Sequence, residues 1–289
     1  MSECFVTDLG RMSYGEAFDI QSGLASERKQ GQGSDHLLFV EHPHVITMGR
    51  DGHRDNLLAS ESVLQRAGIE LHDTDRGGDI TYHGPGQIVG YPIVDLRLWK
   101  RDVGAFVRGI EQVLIDTLAD FGIAAKRIAG LTGVWTDHSG QEAKIAAIGV
   151  HLSRWVSTHG WALNVSTDLR YFQYIVPCGL AKPVTSMAAL GVHAHVEDVK
   201  TSLVRHFGEV FDREMQPPLC ARKQHEVFRT ATAKESTWPL VPTSQMKTLT
   251  ADVGPGFRPA RSFTYPGESA FSTERQEAFL SSVLERHVE

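Results

Sequence analysis

Cysteine is scarce in this chain: three among 289 residues, Cys4, Cys178 and Cys220. An odd number at wide spacing forms no CxxC pair and no disulfide framework. A structural zinc site and a thioredoxin-type motif are therefore set aside, and a reducing compartment is expected. There is no GxGxxG fingerprint, no P-loop with its Gly-Lys-Ser/Thr, and no HExxH. His42, His44, His53, His72 and His138 read as scattered through polar loops, so neither a metal nor a cofactor is expected. No apolar run approaches bilayer length, and the first twenty or so residues lack the basic-then-apolar order of a signal peptide. Basic residues do not dominate either. The formal net charge is -6, from 29 Lys and Arg against 35 Asp and Glu, which argues against a broad nucleic-acid-binding face. These absences leave a soluble cytoplasmic enzyme, with no nucleic-acid partner and no membrane.

Hydrophobic residues make up 41% of the chain, enough for a substantial core. Ala17, Ile20 and Leu24 form one stripe and predict a helix over residues 14–28. HLLFVEH (36–42) reads as a buried strand stopped by Pro43, and VITMGR (45–50) as a second short one. A short helical piece is expected around 60–67. Residues 76–96 read as a glycine-rich loop, a short strand, a tight turn at Gly84-Pro85-Gly86, then another strand. Phe106, Ile110, Val113, Leu114, Leu118 and Phe121 predict a helix over 102–121. Residues 133–136 and 143–152 flank a turn and predict a hairpin. Residues 161–165 read as a strand, and 196–211 as a helix with Val199, Leu203 and Phe207 on one face.

The mixture predicts an α/β or α+β domain, a mixed sheet flanked by helices. Its expected extent is 1–217, ending at Pro217-Pro218. Residues 218–289 are rich in Pro, Thr and Ser and lack periodicity until a terminal stretch opened by Thr273 and Gln276. They read as an irregular extension ending in a helix.

Three segments carry the chemistry. Cys178 sits in IVPCGL, between a proline that fixes the chain and a glycine that frees it, which suits a thiol at a turn with backbone N–H groups near an oxyanion. By itself, a lone cysteine in apolar surroundings reads as a small buried hydrophobe. Lys144 is one cation in the run AKIAAIG. Strand alternation allows it to face solvent. Burial would instead favour loss of its proton or set it beside a thiolate. The densest signal is RGGDITYHGPGQ, residues 76–87, where four glycines permit close backbone approach and Arg76, Thr81, Tyr82, His83 and Gln87 supply polar groups.

Taken together, LLFVEHPHVITMGR, RGGDITYHGPGQIVGYPIVDL, GVWTD with AKIAAIGV, THGWALNV, and YIVPCGL with VTSM closely resemble the lipoyl(octanoyl) transferases. The resemblance spans roughly residues 8–212. It implies a fold like the catalytic domain of biotin and lipoate protein ligases. It also implies transfer of octanoyl, or lipoyl, from acyl carrier protein to a lysine of a lipoyl domain. The acceptors implied are 2-oxo acid dehydrogenase acyltransferase subunits and the glycine cleavage H protein. Carried over residue by residue, Cys178 matches the acyl-thioester cysteine and Lys144 the lysine that lowers its pKa. Arg76, Gly77, Gly78, Asp79, Ile80, Thr81, Tyr82 and His83 match a first substrate-binding segment. Ala147, Ile148 and Gly149 match a second, and Gly160, Trp161 and Ala162 a third. The arginine usual after the KIAAIGV run is His151 here. Competing expectations are an ATP-dependent ligase of the same fold, an amidotransferase between lipoyl domains, and a silent binding module.

Overall fold

The computed structural model describes residues 2–176 and 182–217. In chain order the elements are β1 (Ser2–Arg11), α1 (Tyr14–Lys29), β2 (Asp35–Glu41), β3 (Val45–Met48), α2 (Glu61–Arg66), β4 (Glu70–Asp73), β5 (Ile80–His83), β6 (Gln87–Ile93), α3 (Val103–Asp120), β7 (Ala125–Ile128), β8 (Leu131–His138), β9 (Gln141–Ser153), β10 (Val156–Asn164), α4 (Val196–Phe211) and β11 (Arg213–Gln216). The major sheet has eight strands in the order β11-β1-β2-β6-β10-β9-β8-β7, and a smaller one has β4-β3-β5. Both are mixed. β1 pairs parallel with β2 and with β11, while β2, β6, β10 and β9 alternate antiparallel.

The major sheet is buried on both faces, and period-two alternation divides its side chains between two cores. Leu37 and Phe39 of β2, Ile88 of β6 and Leu163 of β10 join Phe106, Ile110 and Leu114 of α3 and Leu203 and Phe207 of α4. Leu38 and Val40, Val89 and Tyr91, and Ala162 face the other way, against Ala17, Ile20 and Leu24 of α1. Ser13 opens α1: its hydroxyl accepts from the Glu16 N–H while the Glu16 carboxylate accepts from the Ser13 N–H. Asp102 caps α3 through the Ala105 N–H at 2.8 Å. No helix among the described residues is long and apolar enough to cross a membrane.

The mixed α/β architecture agrees with expectation, and the periodic helices fall where the spacing put them. Four strands were not anticipated: β1, β4, β7 and β11. The Gly84-Pro85-Gly86 turn also joins different sheets, since β5 belongs to the small one and β6 to the large. The expected extension at 218–289, with its terminal helix, lies outside the described residues.

Candidate active site

The three predicted binding segments converge. Arg76, Gly78–His83 (except Tyr82), Ala147–Gly149 and Gly160–Ala162 line one slot of about 520 Å³, counting its open mouth. Tyr14 of α1, Val89 and Tyr91 of β6, and His159 of β10 complete it. Glycine makes the walls possible. A Cβ on Gly160 would overlap the Gly90 carbonyl oxygen and stand 2.6 Å from Pro92 Cδ, and a Cβ on Gly149 would stand 2.8 Å from the Gly77 carbonyl oxygen.

The loop entering β5 is held from outside. Arg76 is buried, and its guanidinium donates to the Thr47 carbonyl at 2.6 Å and to Thr47 Oγ1 at 3.0 Å. The Gly77 N–H donates to the Val150 carbonyl at 3.0 Å, and the Gly78 N–H to Asp51 at 3.0 Å. These two N–H groups are therefore spent on the scaffold. Asp79 accepts from Asn56 Nδ2 at 2.5 Å and from the His53 N–H at 3.0 Å. Gly77 and Tyr82 are the members of the first segment that do not line the slot. Tyr82 bonds His44 Nδ1 at 2.7 Å and stacks on Tyr171, with ring centroids 5.2 Å apart.

Lys144 of β9 is buried, 7% exposed, which removes the solvent-facing alternative. Its Nζ lies 4.7 Å from the centre of the Trp135 ring, a cation–π contact across the β8–β9 hairpin. It also lines a second hollow of about 300 Å³ with Gln87, Asn164, Phe172 and Val184. Its main chain is clamped: the Lys144 N–H donates to the Pro183 carbonyl, and the Thr185 N–H to the Lys144 carbonyl, each at 2.9 Å.

Cys178 lies outside the described residues. The chain before it is tied by the Val176 N–H to the Asn56 carbonyl at 2.7 Å. The chain after it is tied by Lys182 to Glu142 at 2.8 Å and by the Lys144 bonds just described.

Several residues at the site were not anticipated. His42 was read as part of a polar loop, yet it is fully buried beneath the slot, with Nε2 2.7 Å from the Tyr91 hydroxyl. Burial pushes its pKa down to about 4. His159 is 2% exposed and adopts the left-handed conformation, φ 58°. Its Nε2 is 2.6 Å from Asp75, and its N–H donates to Gln21 at 2.8 Å. The His159 hydrogen bond is the chief reason that the Asp75 carboxyl lies below its usual range. The available signal was a histidine beside glycine ahead of the apolar run Trp161-Ala162-Leu163. His151 approaches the same Asp75 at 3.6 Å, with its own pKa lowered mainly by burial. Among the described residues, no group of three or more His, Cys, Asp or Glu is placed to hold a metal ion.

Residues 13–208 match the lipoyl protein ligase A/B catalytic domain family. The octanoyltransferase of Solibacter usitatus is 64% identical over 217 residues, which are 75% of this chain and 97% of that one. The octanoyltransferase of Koribacter versatilis is 51% identical over 214 residues, covering 73% and 85%. In fold the chain is similar to a lipoate protein ligase from Thermoplasma acidophilum, TM-score 0.63 at 16% identity, covering 79% of this chain and 94% of that one. The chain belongs to the lipoyl protein ligase A/B catalytic domain family and, within it, to the octanoyltransferases.

Proposed function

We propose that this protein moves an octanoyl or lipoyl group from acyl carrier protein to a lysine of a lipoyl domain, through a thioester on Cys178, with Lys144 handling the proton. In the first half-reaction the Cys178 thiolate attacks the carrier's thioester carbonyl, a C–S bond forms, and the pantetheine sulfur leaves with the electron pair of the bond it loses and takes a proton from Lys144. In the second half-reaction the lysine nitrogen attacks, the C–N bond forms, and Cys178 leaves. Passing from ammonium to amide releases two protons; one recharges Lys144, which restores the thiolate–ammonium pair, and the other goes to solvent. Thioester-to-amide transfer is downhill, so ATP is not required, and dividing it at a thiolate makes each step easier.

The observation that carries this reading is the position of Lys144. It is a buried cation on the slot wall, and its backbone is bonded to the residues that follow the Cys178 segment. A cation beside a thiol favours the thiolate. The Arg76–His83, Ala147–Gly149 and Gly160–Ala162 segments would hold the acyl group. Its apolar tail is worth about 0.8 kcal/mol per buried methylene. The acceptors would be acyltransferase subunits of 2-oxo acid dehydrogenases and the glycine cleavage H protein, met in the cytoplasm.

Intact-mass analysis after incubation with octanoyl carrier protein tests it. The wild type gains one octanoyl mass on Cys178, and Cys178→Ser does not turn over. An adduct on Cys4 or Cys220 instead, or activity that needs ATP and free octanoate without carrier protein, would overturn the proposal in favour of another chemistry.

A further inference from the structure

His83 ends β5, lines the slot, and is buried. The placement of its ring proton follows from hydrogen bonds that begin at backbone carbonyls, which can only accept. The Thr185 carbonyl lies 3.0 Å from the Asn164 amide, so the group facing it is Nδ2. Asn164 Oδ1 therefore faces Gln87 at 2.8 Å and requires Gln87 Nε2 there. The Tyr82 carbonyl, 3.3 Å from the same nitrogen, demands the same orientation. Gln87 Oε1 is left for His83 Nδ1 at 2.8 Å, so Nδ1 carries the hydrogen and Nε2 the lone pair.

The neighbouring histidine obeys the same logic. His42 and His83 have ring centroids 6.0 Å apart. His42 Nδ1 donates to the Met12 carbonyl at 2.8 Å, so its Nε2 accepts from the Tyr91 hydroxyl. Burial, and then the nearness of His42, push the His83 pKa down to about 3.

Of the slot's cations, Arg76 can only donate, and Lys144 likewise while it carries its proton. The slot's other strong acceptors are engaged: Asp79 with Asn56 and His53, and His159 Nδ1 with the Tyr14 hydroxyl at 3.4 Å, its Nε2 donating to Asp75. Among the reacting groups an acyl tail offers no hydrogen, and a thioester carbonyl only accepts. An incoming primary amine arrives rich in N–H bonds. We propose that His83 Nε2 accepts one N–H of the acceptor lysine and turns that nitrogen's reactive face toward the acyl carbonyl. This inference rests on the thioester reading and adds a residue that works in the second half-reaction. An imidazole of such low basicity holds an N–H without removing the proton, which is left for Lys144.

The test separates the half-reactions. Acyl-enzyme formation from octanoyl carrier protein is timed by mass, then octanoyl loss from the isolated acyl-enzyme on adding a lipoyl-domain protein. His83→Phe should slow the second at least ten-fold more than the first. Equal slowing of both, or of neither, overturns the proposal. The wild type supplies a readout independent of any variant: long-range ¹⁵N–¹H correlations should show His83 protonated at Nδ1 and bare at Nε2, and the opposite tautomer overturns it. If the wild type forms no acyl-enzyme on Cys178, the thioester reading itself fails and the role of His83 falls with it. Normal acylation with a wrong half-reaction ratio or tautomer removes only the role of His83.

Discussion

Lys144 meets the slot as a cation resting on an indole, and that contact sets what each substitution should do. Lys144→Ala removes the charge, so alkylation of Cys178 at neutral pH should slow and its pH profile move upward. Lys144→Arg keeps a charge but cannot give up a proton; acylation should survive in part while turnover falls further. Iodoacetamide rates across pH, read beside steady-state turnover, distinguish the two, and an Ala variant with the wild-type profile would dissociate Lys144 from the thiol. The buried histidines make a separate forecast. Burial lowers His36 and His42 to about 4 and His83 to about 3. Each folded-state value lies below the ordinary histidine value near 6.5. The unfolded chain therefore binds protons first as pH falls, and stability drains away from about pH 6.5 downward until the folded values are reached. The slope is roughly 1 kcal/mol per pH unit for each such histidine. The melting temperature should be clearly lower at pH 5 than at pH 7, and a flat profile would mean these rings are not held neutral.

At the scale of elements, close approach of β6 and β10 shapes the slot. The Gly160 site has backbone on one side and a proline ring on the other, neither of which can give way. Gly160→Ala should cost about 1–3 kcal/mol, as overpacking does, and should distort the wall beside Trp161. Gly15→Ala in α1 meets nothing within 4 Å and should stabilise by about 0.5–1 kcal/mol. Urea unfolding of the two variants against wild type checks both signs. The same elements show how far the sequence could be read. α3 and α4 were legible because one face of each packs on the sheet, so their apolar residues repeat at helical spacing. β1 was not: it lies inside the major sheet, but its burial alternates imperfectly and its sequence, SECFVTDLGR, carries Asp8 and a glycine at φ 64°. β4 and β11 have only four residues each, too few for any period. For the site, Arg76 and Gly160 were legible as motif residues. Tyr14, Tyr91 and His42 were not, because α1, β6 and the end of β2 bring them to the site from separate parts of the chain, and nothing in their local sequence distinguishes them from core.

For the whole molecule, the net charge poses a problem that the placement of cations answers. A chain of net charge -6 should repel an acidic carrier protein, so docking needs a local basic rim. Six basic residues could form one: Arg50, Arg54, Lys126, Arg127, Arg154 and Lys182. Four of them are already compensated: Arg54 by Asp73, Lys126 by Asp137 and Glu142, Arg127 by Glu111, and Lys182 by Glu142. Arg50 and Arg154 are exposed and make no ion pair among the described residues. They also share a neighbourhood. Burial first, then Arg50 and Lys29, lowers His151, beside the Gly77–Val150 bond; burial first, then Arg154, lowers Lys29, and Asp75 opposes both shifts. The uncompensated positive charge thus gathers on the His151 edge of the slot, while the hairpin side is neutralised by its own acids. Arg50→Glu with Arg154→Glu should raise the carrier's Michaelis constant about ten-fold at low salt, with turnover at saturation little changed. Lys126→Glu, at a position already tied to two carboxylates, should do much less. Added salt should raise the wild-type constant and bring it toward that of the double variant, because screening removes the same attraction. Steady-state kinetics at several ionic strengths measure all three chains, and a carrier constant indifferent to salt and to both arginines would leave this edge without a docking role.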